Sequence, residues 1–203
     1  MLEFFFDCSS PWTYIAFHNV QRMAAELEEP VHWRPMLVGG VFNSVNPSVY
    51  AMRENPVRAK MTYMLKDIQD WAREADLKIV MPPKVFPVNS VKAMRGCLWL
   101  APRGLLVPFA TAVFETYWGR EEDISQEAVL RDICQRIGID SDELLTGITQ
   151  PDIKQSLKAN TEEVIRRGGF GSPMIYVDDD MYFGNDRLAL VKTALLRKRS
   201  GAS

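Results

Sequence analysis

Residues 2–13, LEFFFDCSSPWT, combine a short apolar run with the start of a helix. The aromatic-rich run at 2–7 is typical of a buried strand. Pro11 follows, and proline is favoured at the first position of a helix. Apolar residues then recur at helical spacing, so we predict a helix over 11–28. The stretch therefore predicts a strand that runs directly into a helix, with Ser10 at the junction.

A second strand is predicted directly after this helix. Pro30 ends the helical pattern, and residues 31–35 place Val31 and Trp33 on one face of an extended segment. Because the intervening helix serves as a crossover connection, we expect the two strands to pair in parallel. The chain thus opens with a β-α-β unit.

The C-terminal part changes from a helical period to a period of two. Residues 174–177 and 181–183 predict two strands, joined by a turn over 178–180 in a tight hairpin. A last helix follows, and we expect Asn185 or Asp186 to cap it.

Between these two parts, apolar residues recur at helical spacing. We therefore predict an α/β protein in which residues 1–45 and 168–203 form one mixed sheet flanked by helices. Residues 46–167 would form an inserted all-helical domain.

Composition and charge narrow the classes of protein that remain. The formal net charge is −2, without the basic excess typical of nucleic-acid binders. No apolar run reaches the length of a membrane span, and the start, MLEFFFDCSS, lacks the basic region of a secretory signal. The three cysteines include no CxxC pair, which favours a reducing compartment and indicates no disulfide framework. We predict a cytoplasmic protein with no nucleic-acid partner, no membrane partner and no metal site.

Ser10 is the first candidate for chemistry. Unpaired N–H groups and a positive dipole at a helix start stabilise an anion, and a serine hydroxyl adds one more donor. The alternative is that Ser10 is only an N-cap. A Ser-His-acid triad is a weak alternative, because His18 and His32 are the two histidines in the chain and both suit packing or surface positions.

Two further segments offer backbone groups to a ligand. Pro173 opens a predicted strand after a glycine-rich turn, and a cis bond there would expose the backbone of Ser172 to an extended peptide. A trans turn is the alternative. Residues 183–187, FGNDR, either cap the last helix or also bind a carboxylate with the same N–H groups.

Taken together, these segments resemble a known family. An FxFDxxSP start, a helical insertion, an FGxP strand and an FGNDRL helix start are similar to the 2-hydroxychromene-2-carboxylate isomerase and kappa-class glutathione transferase family, in the DsbA-like branch of thioredoxin folds. Weaker motifs of the same family occur at 34–35, 38–42, 46, 59–63 and 86–90.

This resemblance implies a thioredoxin-like fold and glutathione as cofactor. It implies that Ser10, standing where the redox cysteine of disulfide oxidoreductases would be, donates a hydrogen bond to the glutathione sulfur. The residues that match glutathione-binding positions are Ser10, Asn46, Lys60, Ser172, Pro173, Gly184, Asn185, Asp186 and Arg187. Those that match substrate positions are Trp12, Arg58, Lys60 and Asn89. Cys8 lies two residues before Ser10, and we interpret it as a core thiol.

The resemblance leaves several functions open. The first is a cytoplasmic, bacterial isomerase that converts 2-hydroxychromene-2-carboxylate to trans-o-hydroxybenzylidenepyruvate in aromatic catabolism. The second is a kappa-class-like glutathione transferase that conjugates electrophiles. A non-catalytic thioredoxin-like binding module and a disulfide oxidoreductase that uses Cys8 alone are further alternatives. The family resemblance also implies a homodimer and a small aromatic substrate.

Overall fold

A four-stranded mixed sheet lies at the centre of the fold. The computed structural model describes residues 1–201. The strands are β1 (Leu2–Phe6), β2 (Val31–Pro35), β3 (Met174–Val177) and β4 (Asp180–Phe183). Their order in the sheet is β2-β1-β3-β4. β1 is parallel to β2 and antiparallel to β3, and β3 and β4 form the hairpin. The parallel β-α-β start and the closing hairpin are confirmed, although Asp180 belongs to β4 rather than to the turn.

Helices make up most of the rest of residues 1–201. They are α1 (Pro11–Glu26), α2 (Val38–Val45), α3 (Ser48–Glu54), α4 (Arg58–Glu74), α5 (Val91–Leu100), α6 (Leu106–Phe114), α7 (Glu127–Arg136), α8 (Ser141–Gly147), α9 (Pro151–Arg166) and α10 (Leu188–Arg199). Short 3₁₀ turns span Ala101–Arg103 and Asn185–Arg187, and a π-helical segment spans Glu115–Gly119. Within the part of the chain described, no helix is long and apolar enough to cross a membrane.

Both faces of β1 are covered by the rest of the fold, which explains why four of its five residues are apolar. Its one charged residue, Glu3, is buried and paired with Arg34 and Arg167. Phe4 and Phe6 face α1 and pack against Phe17. The centre of the Phe17 ring lies 6.2 Å from that of Phe4 and 5.3 Å from that of Phe6. Phe5 faces the opposite side and packs edge-on against Tyr176 at 5.5 Å. The strand is therefore the central element that fixes where α1 begins.

One connected apolar core joins the sheet to the helical segment. The Phe114 ring, at the end of α6, stacks on Tyr14 at 5.0 Å and lies 5.2 Å from Phe17. All three side chains are nearly or completely buried. The division into residues 1–45 plus 168–203 and residues 46–167 stays a prediction, with α6 packed directly against α1.

The expected cap of the last helix is wrong. Neither Asn185 nor Asp186 makes a side-chain capping hydrogen bond, because a 3₁₀ turn precedes α10 and uses those residues otherwise. Instead, Asn185 is buried and accepts a hydrogen bond from Asn19 Nδ2 at 2.9 Å, while Asp186 pairs with Arg187 on the surface. Tertiary packing has here replaced the local capping interaction.

Candidate active site

Ser10 caps α1 and also reaches the loop before β3. Its Oγ accepts a hydrogen bond from Thr13 N at 3.2 Å, so the N-cap interpretation is confirmed. The same hydroxyl donates to the Ser172 carbonyl at 3.3 Å. Since Ser10 is only half-buried, its hydroxyl lies where a ligand could replace the second partner. Capping and ligand binding are thus compatible at this position.

The Ser172 side chain is held by buried partners. Its Oγ accepts a hydrogen bond from Asp7 N at 3.1 Å and lies 2.8 Å from Thr13 Oγ1. The Ser172–Pro173 bond is cis. With the hydroxyl engaged in the interior, the backbone of Ser172 is the part of the residue turned toward Ser10. Sequence reasoning did not single out Thr13, whose partner lies far along the chain.

Asp7 is a buried carboxylate behind the site. Its Oδ1 accepts from Ser9 N at 2.9 Å and its Oδ2 accepts from Val38 N at 2.8 Å. Burial raises the pKa of Asp7, and the hydrogen bonds from Ser9, Val38 and Ser90 oppose that rise. The carboxyl group therefore fixes the turn before Ser10 and the first turn of α2. An acid directly after a buried strand was a usable signal in the sequence.

Cys8 is a core thiol, as predicted. The side chain is fully buried, and the backbone donates from N to Met94 Sδ at 3.4 Å and accepts from Trp118 Nε1 at 2.9 Å. Burial raises the pKa of the Cys8 thiol well above its ordinary value, and the neighbouring Cys97 raises it further. A thiol held protonated in this way is a poor nucleophile. Trp118 belongs to the π-helical segment, which thereby supports the backbone two residues before Ser10.

Gly184 and Asn185 directly follow β4 and are connected to Pro173 through the backbone. Gly184 adopts φ +94, a conformation that favours glycine, and its N–H donates to the Pro173 carbonyl at 3.4 Å. Asn185 is only 5% exposed, and within residues 1–201 its Nδ2 has no hydrogen-bond partner. A groove of about 500 Å³ between α1, α4 and α10 includes Asn19, Asn185 and Asp186 in its lining, but neither Ser10 nor Ser172. This part of the site offers one buried amide donor and an exposed acid.

Asn46 contacts the glycine-rich loop from the helical side. Its Nδ2 donates to the Phe170 carbonyl at 3.2 Å, which ties the end of α2 to the segment before Ser172. The exposed rings of Phe170 and Phe183 lie 4.7 Å apart. The structure therefore brings Ser10, Asn46, Ser172, Pro173 and Gly184 into one neighbourhood.

The side chains of the other predicted site residues make no hydrogen bond or ion pair to this group within residues 1–201. Trp12 is half-buried and packs against the core. Arg58 and Lys60 are exposed on the first turn of α4, and no hydrogen bond or ion pair of their side chains is present within residues 1–201. Asn89 is exposed, and its Oδ1 accepts from Val91 N at 3.1 Å at the start of α5. Arg187 is exposed and paired with Asp186.

The donors in this neighbourhood fit a tripeptide thiol. A hydroxyl at a helix N-terminus suits an anionic sulfur, and a strand edge beside Pro173 suits a peptide backbone. The unpartnered amide of Asn185 and the N–H groups after Gly184 suit a carboxylate. No cluster of three or more His, Cys, Asp or Glu side chains that could hold a metal occurs in residues 1–201.

The fold and the site define a thioredoxin-fold protein whose first helix is N-capped by a serine, Ser10, and not by a cysteine. The family model described as the DSBA-like thioredoxin domain matches residues 1–196, so this chain belongs to that family.

Relatives with two kinds of names share almost the whole chain. A 2-hydroxychromene-2-carboxylate isomerase of Sphingobium xenophagum is 27% identical over 197 residues, covering 96% of this chain and 97% of the relative. Glutathione S-transferase kappa 1 of Homo sapiens is 25% identical over 213 residues, covering 98% of this chain and 92% of the relative.

Solved structures agree on the fold. The structure of a 2-hydroxychromene-2-carboxylate isomerase superposes with a TM-score of 0.83 at 22% identity, covering 100% of this chain and 98% of that one. The cytosolic disulfide reductase DsbM of Pseudomonas aeruginosa, solved with GSH, superposes with a TM-score of 0.63 at 15% identity, covering 96% and 98%.

Proposed function

We propose that this protein is a glutathione-dependent isomerase that converts 2-hydroxychromene-2-carboxylate-type substrates to trans-o-hydroxybenzylidenepyruvate. The observation that carries the proposal is the Ser10 hydroxyl, which caps α1 and lies 3.3 Å from the carbonyl of Ser172 before the cis Pro173. Relatives named as this isomerase cover almost the whole chain and support the choice of reaction.

The residues proposed to hold glutathione follow the surface from Ser10 to Arg187. Ser172 would pair through its backbone with the cysteinyl residue, beside Pro173. The N–H groups after Gly184, with Asn185, Asp186 and Arg187, would hold the γ-glutamyl end. Asn46 and Lys60 would approach from the helical side. The buried Nδ2 of Asn185, which has no partner within residues 1–201, supports a ligand at this end.

Glutathione, when bound, supplies a thiol that adds reversibly to the conjugated carbon of the ring-opened substrate, so that a double bond becomes rotatable. Ser10 serves this chemistry by donating from its Oγ to an anionic sulfur. The N-terminus of α1 adds its positive dipole, although Pro11 contributes no N–H of its own. Both effects favour the ionised form of a thiol beside Ser10.

Other side chains must stabilise charge on the substrate. The reaction develops an enolate next to a carboxylate, and preorganised donors lower the barrier most when they face that charge. Lys60, Asn46 and Asn89 are the proposed donors, while Trp12 and Arg58 are proposed to line the substrate site. The Lys60 side chain is exposed on the first turn of α4 and makes no ion pair within residues 1–201.

The proposal is tested by following isomerisation of 2-hydroxychromene-2-carboxylate by absorbance, with and without glutathione. We expect turnover only when glutathione is present. Omitting the thiol is the control, and turnover that does not depend on glutathione would contradict the mechanism. Glutathione should also raise the melting temperature, because a ligand that binds only the folded state stabilises it.

A kappa-type glutathione transferase is the second candidate, favoured by relatives that bear that name. The same thiol site would serve it, and the product would remain attached to the sulfur. Conjugation of 1-chloro-2,4-dinitrobenzene, measured beside the isomerase assay, separates the two activities. A non-catalytic binding module would show neither activity. We further propose a cytoplasmic homodimer, for which size-exclusion chromatography with light scattering measures the mass.

A further inference from the structure

Three aromatic rings from separate segments surround the side chain of Arg53, near the end of α3. The guanidinium carbon lies 5.7 Å from the centre of the Phe42 ring, 6.0 Å from that of Tyr50 and 5.6 Å from that of Phe86. All three distances fall within the range of a cation–π interaction. Phe42 belongs to α2, Tyr50 to α3 and Phe86 to the loop before α5. We call this group the Arg53 cluster.

The Arg53 cluster has no acidic partner. Within residues 1–201, no carboxylate lies within 4.0 Å of Arg53 and its guanidinium makes no hydrogen bond. Arg53, Tyr50 and Phe86 are all exposed, so the cationic edge and two of the rings can be reached from solvent. The Tyr50 hydroxyl is occupied, since it donates to Asn43 Oδ1 at 2.7 Å.

The elements that carry the Arg53 cluster also frame the candidate active site. The Phe86 ring lies 6.3 Å from Trp118, whose Nε1 donates to the Cys8 carbonyl two residues before Ser10. Asn46, at the end of α2, holds the Phe170 carbonyl in the loop before Ser172. The Arg53 cluster is therefore connected to the candidate site through Phe86 and Trp118, and it includes a ring from α2, the helix that precedes Asn46.

The positive charge of Arg53 also affects a buried group, the hydroxyl of Tyr117. Burial raises the pKa of Tyr117, the charges of Asp123 and Asp7 raise it further, and the positive Arg53 partly offsets the rise. Tyr117 is adjacent to Trp118 in the π-helical segment, with its ring 4.5 Å from that of Trp118. Arg53 thus contributes positive potential at Tyr117, the neighbour of Trp118.

Arg103, which also makes a cation–π contact, is an example of an arginine with a structural role. Arg103 stacks directly on Trp99 at 3.7 Å and also donates to the Trp99 carbonyl. Its ring contact and its hydrogen bond lie within one turn of the chain. Arg53 differs because its rings come from three segments and its N–H donors remain free for a ligand.

We propose that Arg53 binds the carboxylate of an aromatic substrate and determines specificity for it. Guanidinium forms strong, charge-assisted and often bidentate hydrogen bonds to carboxylates, and aromatic side chains around a polar group suit a flat apolar ligand. This inference rests on the proposed function for the identity of the reaction and assigns the substrate's carboxylate to Arg53 rather than to Arg58. Arg58, on α4, contacts no aromatic ring within cation–π range in the described residues.

The test uses the full chain and two probes that do not react, trans-cinnamate and trans-cinnamamide, with binding measured by calorimetry. We expect the wild type to bind cinnamate about tenfold or more tightly than the amide, and Arg53→Met to lose that preference. Arg53→Lys should retain part of it, since charge persists without the planar fork. Arg103→Met, which removes a cation–π contact elsewhere, is the matched control and should keep the wild-type preference.

Steady-state kinetics provide a second measurement, because loss of a purely structural role would not raise KM selectively. Arg53→Met should raise KM for 2-hydroxychromene-2-carboxylate about tenfold or more, with a smaller change in kcat, and should leave the glutathione-induced rise in melting temperature unchanged. A wild type that binds neither probe or shows no preference for cinnamate, or an Arg53→Met variant that keeps the preference, overturns the inference. A wild type without a glutathione-induced shift overturns the proposed function instead, and the cinnamate comparison still decides the role of Arg53.

Discussion

Thr13 Oγ1 lies 2.8 Å from Ser172 Oγ, so a buried hydrogen bond joins the first turn of α1 to the loop before Pro173. The same loop is bound again through the Ser10 hydroxyl, which donates to the Ser172 carbonyl. Asp7 N completes the connection by donating to Ser172 Oγ. These contacts fix the spacing between the helix start and the strand edge, which is the spacing that a bound peptide thiol would have to match.

Removal of the Thr13 hydroxyl should loosen this connection. In Thr13→Val the side-chain shape is nearly kept, but one buried hydrogen bond is lost, at a cost of about 1–3 kcal/mol in the free energy of unfolding. We expect weaker glutathione binding as well, measured by calorimetry. Thr116→Val, which removes a buried hydroxyl that accepts from Arg136, is the control and should lose stability while binding glutathione normally. Equal glutathione affinities in wild type and Thr13→Val would contradict this role.

Replacement of Ser10 tests the proposed function most directly. Ser10→Ala should lower glutathione-dependent turnover about 100-fold or more, because one preorganised donor to the anionic sulfur is lost. Its unfolding free energy should fall by only about 0.5–2 kcal/mol, the usual cost of losing an N-cap.

Asp140→Ala separates these two effects. Asp140 caps α8 by accepting from the N–H groups of Asp142 and Glu143, and it lies in the helical segment. The variant should lose a comparable amount of stability in urea unfolding and keep full turnover. If Ser10→Ala and Asp140→Ala reduced turnover equally, stability alone would explain the result and Ser10 would have no chemical role.

The sequence predicts those elements whose signals are local. β1, α1 and the hairpin follow from the apolar run, from Pro11 and from the alternation after Pro173, and all three are present. α2 was not predicted, because Gly39 and Gly40 weaken its helical pattern. Its start is instead held by contacts from distant residues, with Leu37 N donating to Thr161 Oγ1 and Val38 N to Asp7 Oδ2.

The residues of the candidate site likewise fall into two groups: those in local sequence motifs, which could be predicted, and those positioned by distant contacts, which could not. Ser10 and Ser172 lie in recognisable motifs, so their proximity could be expected from the fold. Thr13 could not be singled out, because its partner Ser172 lies 159 positions later. Arg53 could not be predicted, because the aromatic rings around it come from three segments that only the folded chain brings together. The local pattern at Asn185 predicted a cap, whereas packing against α1 turned its side chain inward.

The three cysteines should be unreactive in the folded protein. All are free and buried, and burial raises the pKa of Cys134 to about 11 and that of Cys8 well above its ordinary value. We expect slow labelling by a disulfide reagent at pH about 8 and rapid labelling of all three thiols in denaturant. Cys8→Ala should keep glutathione-dependent turnover. Loss of turnover together with an unchanged melting temperature would instead favour a redox role for Cys8.

Asp7 should make stability fall as pH rises. Its pKa is raised in the folded state, so the folded protein binds more protons than the unfolded chain between the ordinary pKa and the raised one. Stability is therefore lost as pH increases through that interval. Asp7→Asn removes this titration, so the variant should become more stable relative to the wild type as pH rises.

Asp123→Asn provides a control of opposite sign, read out by urea unfolding across the acid to neutral range. Hydrogen bonds from Ser125 and Gln126 lower the pKa of Asp123, so its ionised form stabilises the fold above the ordinary pKa and that stabilisation is lost as pH falls. Asp123→Asn should therefore become less stable relative to the wild type as pH rises, whereas Asp7→Asn moves the other way. Parallel pH profiles for the two variants would show that burial does not govern the ionisation of Asp7. Opposite profiles would establish that the turn before Ser10 is held by a carboxyl group whose charge is disfavoured in the folded protein.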